Sequence, residues 1–334
     1  MNVLFLSNVR SDYSRSAVQY LGSSHQKSYL TIQIRDFFSI KKVESIKKAI
    51  REVDVICIMS PGHPLTLPIR LLTMKKIILD AGWPLSDSTS SNISAFAKYF
   101  RKCKNVIIDF IAFHACSTLI LESESQSKRV SVRFLINRFK IKVIYSGVAE
   151  ARFQDIKSEK PPELPMTISG NYLLFRGKIN SEAGINEIIK FFLREKDFNL
   201  VISSPDLQVK NLDSENIHLL NRYLSDREIK WLYTNAYFSL GQFGRTKRQQ
   251  RSIPHKYFEA SYFGCPYVSL KSIALNERGI SAGVIQIDTI EDLSSLIGES
   301  SKVLNKRDAI LQNYQDFLSN SKLVSDFESL MTID

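Results

Sequence analysis

A chain of 334 residues, 44% hydrophobic and 24% charged, has the length and balance of two ordinary globular domains of about 150 residues each. Its formal charge of +11 calls for an anionic partner: nucleic acid, a phosphorylated ligand or an acidic membrane surface. The four cysteines, Cys57, Cys103, Cys116 and Cys265, lie too far apart for a CxxC zinc site or a disulfide framework, and no apolar stretch approaches the ~18 residues of a membrane span.

The first apolar run, residues 3–6, has no basic segment ahead of it, so no signal peptide or anchor is expected and the cytoplasm is the default location. Further runs follow at 30–34, 53–58, 77–79, 118–121 and 142–145, then at 172–175, 199–202, 217–220, 237–240, 267–270 and 284–287. Consecutive rather than alternating apolar residues suit parallel strands covered on both faces. The stretches between them read as helices. From Ile185, the positions Ile188, Ile189, Phe192 and Leu193 make one apolar stripe, and 225–233 offers Ser225 as N-cap with Ile229, Leu232 and Tyr233 facing inward. Strand–helix alternation implies right-handed crossovers and two doubly wound α/β domains of six strands each, alike in strand order. The segment 155–165, with three prolines and five charges in eleven residues, reads as a linker. The expected organisation is a first domain over 1–155, a linker over 156–167 and a second domain over 168–300. Helices over 301–334 pack on the second domain or cross back to the first.

Two stretches of the first half are strongly basic. Lys41, Lys42, Lys47, Lys48 and Arg51 share a helical stretch with Val43, Ile46 and Ile50, and Lys98, Arg101, Lys102 and Lys104 stand beside Phe96, Tyr99 and Phe100. Solvated helix faces explain such clusters, and so does contact with anionic headgroups or a lipid-linked acceptor. Among polar residues, His63 follows a strand and suits either a cleft or a turn, whereas His114 lies in an apolar helical stretch and reads as packed or capping. Asp12, Asp80 and Asp87 are acceptor-side candidates. No HxH, HExxH or carboxylate cluster calls for a metal, and no cofactor is expected.

Ligands of doubly wound sheets bind beyond the carboxyl ends of the strands, which selects three segments of the second half. The first is the turn Phe175-Arg176-Gly177-Lys178-Ile179, where glycine allows a close turn and two cations can meet a phosphate. The second, 240–251, carries Gly241 and Gly244 and the cations Arg245, Lys247, Arg248 and Arg251. The third runs from Ser252, a candidate N-cap, through Ile253, Pro254, His255, Lys256 and Glu259 to Gly264 and Pro266. A helix start there offers free N–H groups to a diphosphate, Lys256 neutralises charge, and Glu259 three residues on can accept both ribose hydroxyls.

Together these segments resemble the C-terminal donor domain of GT-B glycosyltransferases, especially the retaining glycosyltransferase family four. Gly177-Lys178-Ile179 is similar to that family's Gly-Arg/Lys-Leu/Ile turn, and Pro254, Lys256, Glu259, Gly264 and Pro266 to its donor-binding helix. Residues 216–220 and 224–229, with Leu224, resemble the strand and loop over the nucleobase, and 143–148 with Phe153 resembles the end of the first domain. The chain departs from the pattern at Ala183, where the family has a second diphosphate lysine, and at Arg251, where it has the first of two glutamates. It also lacks a Gly-Gly loop after the first strand and has Asp80-Ala81-Gly82-Trp83 where many members have His-Gly.

The resemblance implies two facing Rossmann-like domains with a cleft between them, and a hexose passed from a nucleotide-sugar to an acceptor hydroxyl. Retention of configuration, no bound metal and a role in surface polysaccharide or glycolipid assembly follow from it as expectations. Lys178, Lys256 and Glu259 would carry the chemistry; Arg176, Gly177, Leu224, Gly241, Arg245, Ile253, Pro254 and His255 would line the donor; and Asp12, His63 and Asp80 would serve the acceptor. The partners are then a nucleotide-sugar, a saccharide or lipid-linked acceptor and the anionic inner face of the cell membrane. A GT-B-like partner subunit without catalysis is the alternative, and a basic nucleic-acid-binding protein ranks below it because no nucleic-acid module is recognisable.

Overall fold

Strands form where the apolar runs lie, because a residue run buried on both faces has no polar face to offer water. The computed structural model describes residues 1–8, 25–87, 94–157, 159–165, 167–168, 172–206, 214–298 and 306–331. The chain divides into two units: Met1–Tyr145 with Leu323–Asp334, and Ser146–Lys322.

The first unit holds β1 (Asn2–Ser7), β2 (Gln26–Thr31), β3 (Val55–Ile58), β4 (Lys76–Gly82), β5 (Thr118–Leu121) and β6 (Ile141–Val143), with helices α1 (Ile40–Arg51), α2 (His63–Leu72), α3 (Ala95–Ala115) and α4 (Glu124–Phe134). The sheet is parallel, in the order β2-β1-β3-β4-β5-β6. Successive side chains divide between its faces. Leu4, Leu6, Ile56 and Ile58 pack with Ile46, Ile50, Leu65, Ile69 and Phe113 of the helices. Val3, Phe5, Val55 and Cys57 face the other way, onto Leu323, Phe327 and Met331 from the end of the chain. The ring of Phe327 lies 6.1 Å from that of Phe5. Each such buried side chain contributes roughly 1.5–3 kcal/mol, which is enough to return the C-terminal segment to the first unit.

The second unit holds β7 (Tyr172–Arg176), β8 (Asn199–Ser203), β9 (Ile217–Leu220), β10 (Phe238–Leu240), β11 (Tyr267–Leu270) and β12 (Val284–Ile287). Its helices are α5 (Ile185–Arg194), α6 (Asp226–Asn235), α7 (His255–Tyr262), α8 (Leu293–Gly298) and α9 (Arg307–Phe317), and α10 (Asn320–Glu328) follows. The order is β12-β11-β10-β7-β8-β9, again all parallel. Ser225 caps α6 in a reciprocal box with Glu228, and Ile229, Leu232 and Tyr233 are buried as their spacing predicts.

Three expectations are corrected. The two sheets differ in strand order: the first turns back across its founding strand after β2, the second only after three strands, because apolar runs mark strands but not their pairing. β2 begins at Gln26, ahead of its apolar residues, since an edge strand with largely exposed side chains is placed by hydrogen bonds to β1. Leu193 is 42% exposed, and Phe191 takes the buried place on α5. The proline-rich segment, read as a linker, lies in the second unit and packs there. Phe153 packs edge-on to Phe263 at 5.0 Å, Leu164 and Ile168 are buried, and Lys230 and Arg222 donate to the carbonyls of Ile156 and Glu163.

Candidate active site

In the second sheet β7 and β10 are neighbours, yet the chain leaves them toward opposite edges, so a crevice opens beyond their carboxyl ends. Gly177 follows β7, Gly241 follows β10, and α7 begins nearby. Its N-cap is Pro254, not Ser252, which closes the preceding turn at Gln249–Arg251. The Lys256 amide, in the first turn of α7, is therefore among the donors that a helix start leaves outside the helix's own hydrogen bonds.

Lys256 reaches back into the crevice. Its ammonium donates to the Gly241 carbonyl at 2.8 Å and stands 3.8 Å from the centroid of the Phe175 ring. Gly177 has φ of +138°, a conformation L side chains rarely adopt, and lies against the Lys256 side chain. Burial pushes the Lys256 ammonium down to about 7, against the opposing pull of Glu259.

Glu259 faces the same place from one turn further on. Its Oε2 accepts from Arg176 and, at 2.9 Å, from the Tyr233 hydroxyl, while His255 Nδ1 stands 3.7 Å from Oε1. Burial alone would raise this carboxyl, but Arg176, His255 and Tyr233 outweigh it and hold the pKa below its ordinary value. Burial likewise works against the Arg176 charge, and Glu259 with Tyr233 overcomes it, so both groups stay ionised.

A carboxylate and a guanidinium buried at one strand end must pair, so Arg176, expected at the donor, holds Glu259. Tyr233 and Phe175, which hold Glu259 and underlie Lys256, were not singled out from the sequence. The polar tip of a buried tyrosine is the one signal that marked Tyr233.

The loops after β7 and β10 lock together through their backbones. Phe243 N donates to the Ala183 carbonyl at 3.2 Å and Gly244 N to the Glu182 carbonyl at 3.0 Å. A Cβ on Gly244 would fall 1.9 Å from the Ser181 carbonyl oxygen. Gly244→Ala is therefore expected to lower stability by about 1–3 kcal/mol through forced displacement of this loop, read as a lower urea midpoint with an unchanged m-value. Gly241 serves the same kind of approach: a Cβ there would fall 2.4 Å from the Tyr267 hydroxyl oxygen, so it faces protein and presents its carbonyl to Lys256.

Of the remaining candidates, Lys178 and Arg245 are exposed, Leu224 is half-buried before α6, and Ile253 is buried. Arg248 is drawn to Glu182 at 3.4 Å, whereas Arg245 and Lys247 border a shallow groove of about 310 Å³ with Lys271 and Asp288.

No protein-family profile matches the sequence, and no curated protein does either. Solved structures do match. HepE of Anabaena, in complex with UDP-glucose, superposes with a TM-score of 0.69 at 12% identity over 99% of both chains. Sucrose-phosphate synthase from Thermosynechococcus elongatus gives 0.68 at 11% identity, over 99% of this chain and 98% of its own. A glycosyltransferase from Rickettsia africae gives 0.64 at 12%, over 99% and 97%. The fold is GT-B.

Within this GT-B chain two of the acceptor-side candidates, His63 and Asp80, are buried in the first unit. His63 opens α2 fully buried, 5.8 Å from the Phe113 ring and 3.9 Å from Asp109, and burial pushes its imidazole down to about 4. Asp80 is buried within β4. Both follow or end strands, and both side chains are enclosed by protein. Asp87 receives Arg129 and Arg133 at 3.2 and 3.1 Å and so anchors α4. Asp12 lies outside the described residues. His114 closes α3, its Nε2 3.0 Å from the Phe134 carbonyl oxygen.

Proposed function

We propose that the chain is a retaining, metal-independent glycosyltransferase similar to family four, moving a hexose from a nucleoside-diphosphate sugar to an acceptor hydroxyl. The observation that carries this reading is the Lys256 ammonium in the β7–β10 crevice, beside the N-terminal end of α7 and an ionised Glu259. When the anomeric carbon–oxygen bond breaks, the nucleoside diphosphate leaves with the electron pair. Lys256, Lys178 and the α7 amides meet that developing charge, and Glu259 Oε1 takes the ribose hydroxyls. Support comes from HepE, captured with UDP-glucose on the same fold. The acceptor belongs to the first unit, and a cytoplasmic setting in surface polysaccharide or glycolipid assembly fits a lipid-linked acceptor. No nucleic acid and no cofactor take part in this reading.

A panel of UDP, GDP, ADP, CMP and dTDP tests it by thermal shift. One nucleoside diphosphate should raise the melting temperature, by the equivalent of about 2.7 kcal/mol at a hundredfold excess over Kd. Failure of all five to shift it would sink the proposal. Ala183 and Arg251 favour a second reading, a binding subunit without catalysis. It predicts the same shift but no acceptor-dependent release of nucleoside diphosphate.

A further inference from the structure

Helix α3 (Ala95–Ala115) gives only its second half to the first unit, where Val106, Ala112 and Phe113 join the core and Asp109 accepts from the Leu85 and Ser86 amides. Residues 95–104 are exposed on every side of the helix. Phe96, Tyr99, Phe100, Cys103, Ile107, Phe110 and Ile111 recur at intervals of three and four, so they form one stripe about 22 Å long. Phe96 is 74% exposed, Tyr99 67%, Phe100 58% and Ile107 60%. The aromatic rings are already clustered, Phe96 to Phe100 at 4.7 Å and Tyr99 edge-on to Phe100 at 6.3 Å. An apolar stripe of this size left in water marks an interaction surface.

The rest of the helix surface says what covers it. Lys98, Arg101, Lys102 and Lys104 stand off the stripe, no acid occurs between 95 and 108, and among the described residues no acid pairs with these four. On α1, the other basic helix, Lys42 and Lys47 meet Asp36 and Glu44, while Lys41, Lys48 and Arg51 have no acid partner among the described residues. No helix of the described residues is long and apolar enough to cross a membrane, so α3 is no span. An aromatic face with unpaired cations on the remaining surface matches a helix lying in the plane of an anionic bilayer, rings at the acyl boundary and cations among the headgroups. We propose that the free turns of α3 dock the chain on an anionic lipid surface. The inference stands whether or not the chain transfers a sugar.

Cys103 lies on the same stripe and is exposed, while Cys57, Cys116 and Cys265 are buried, so the full-length protein takes an environment-sensitive fluorophore at that one place. Vesicles of phosphatidylcholine with phosphatidylglycerol should shift its emission to the blue and allow quenching by spin-labelled lipid, with at least about tenfold weaker binding to phosphatidylcholine alone. The variant Phe96→Ser/Tyr99→Ser/Phe100→Ser should melt like the wild type and bind at least about tenfold more weakly. Lys98→Glu/Lys102→Glu should abolish the preference for anionic vesicles and serves if the triple variant fails to fold. The proposal is overturned by an absent shift or by full binding of the aromatic variant. It is equally overturned by a vesicle-independent shift that grows with protein concentration, which would assign the stripe to a second copy, or by a shift with RNA but not vesicles.

Discussion

Glu259→Ala is expected to lower stability by about 3 kcal/mol, because it strands the guanidinium of Arg176 in the crevice. The figure is at the lower end for a buried pair, since the Arg176 side chain keeps 26% of its exposure and some access to water. The Tyr233 hydroxyl loses its acceptor in the same step. Urea titration of both proteins measures the loss. The sign with pH follows from the lowered carboxyl of Glu259. Its stabilisation is present above the unfolded-state value of about 4.3 and disappears as pH falls through the lower folded-state value, so the wild type should lose this increment in acid while Glu259→Ala should not. Replacing both partners, Arg176→Met with Glu259→Leu, should recover much of the stability. That double variant asks whether the pair does more than hold itself together. If binding of nucleoside diphosphate returns with stability, Glu259 only holds Arg176; if the variant is stable but no longer binds, one of the two side chains contacts ligand.

The strands were legible because burial on both faces leaves a local record. The run at 284–287 became β12 residue for residue, and 217–220 became β9. Strand order left no such record, since pairing joins segments far apart, and β2 escaped because an edge strand has one neighbour and mostly wet side chains. The site divides in the same way. Lys256 and Glu259 were visible through their spacing on one helix face, but the fate of Arg176 was not, because its partner lies 83 residues away and only the packed sheet end brings them together. Tyr233 was read as a core residue, which it is; its hydroxyl alone reaches the site. The burial of His63 and Asp80 was hidden for a related reason. Position at a strand end predicts proximity to a crevice but not which way the side chain turns, and in the first unit both are enclosed.

Lys256→Met should weaken nucleoside diphosphate binding about 10–100-fold at pH 7, the worth of a hydrogen-bonded charge, and should slow transfer by a further factor wherever the leaving group's charge exceeds that of the bound donor. The mutation also removes a pH dependence whose direction is fixed by the surroundings of the ammonium. In the free protein burial pushes Lys256 down from 10.5 to about 7. A depressed lysine disfavours the folded state as pH falls through this window: the unfolded chain takes up the proton first, so stability should rise from pH 7 to 10.5 and be flat with respect to this group below 7. A diphosphate in the crevice reverses the balance by placing negative charge beside the ammonium, which raises its pKa again. Binding near pH 8 must then draw a proton from solution. Calorimetry in two buffers of different ionisation enthalpy should detect an uptake approaching one proton per nucleotide, and affinity should fall by up to about tenfold per unit as pH rises above 7. Lys256→Met should show neither effect. Proton uptake that persists in that variant would place the titrating group elsewhere and remove Lys256 from the diphosphate.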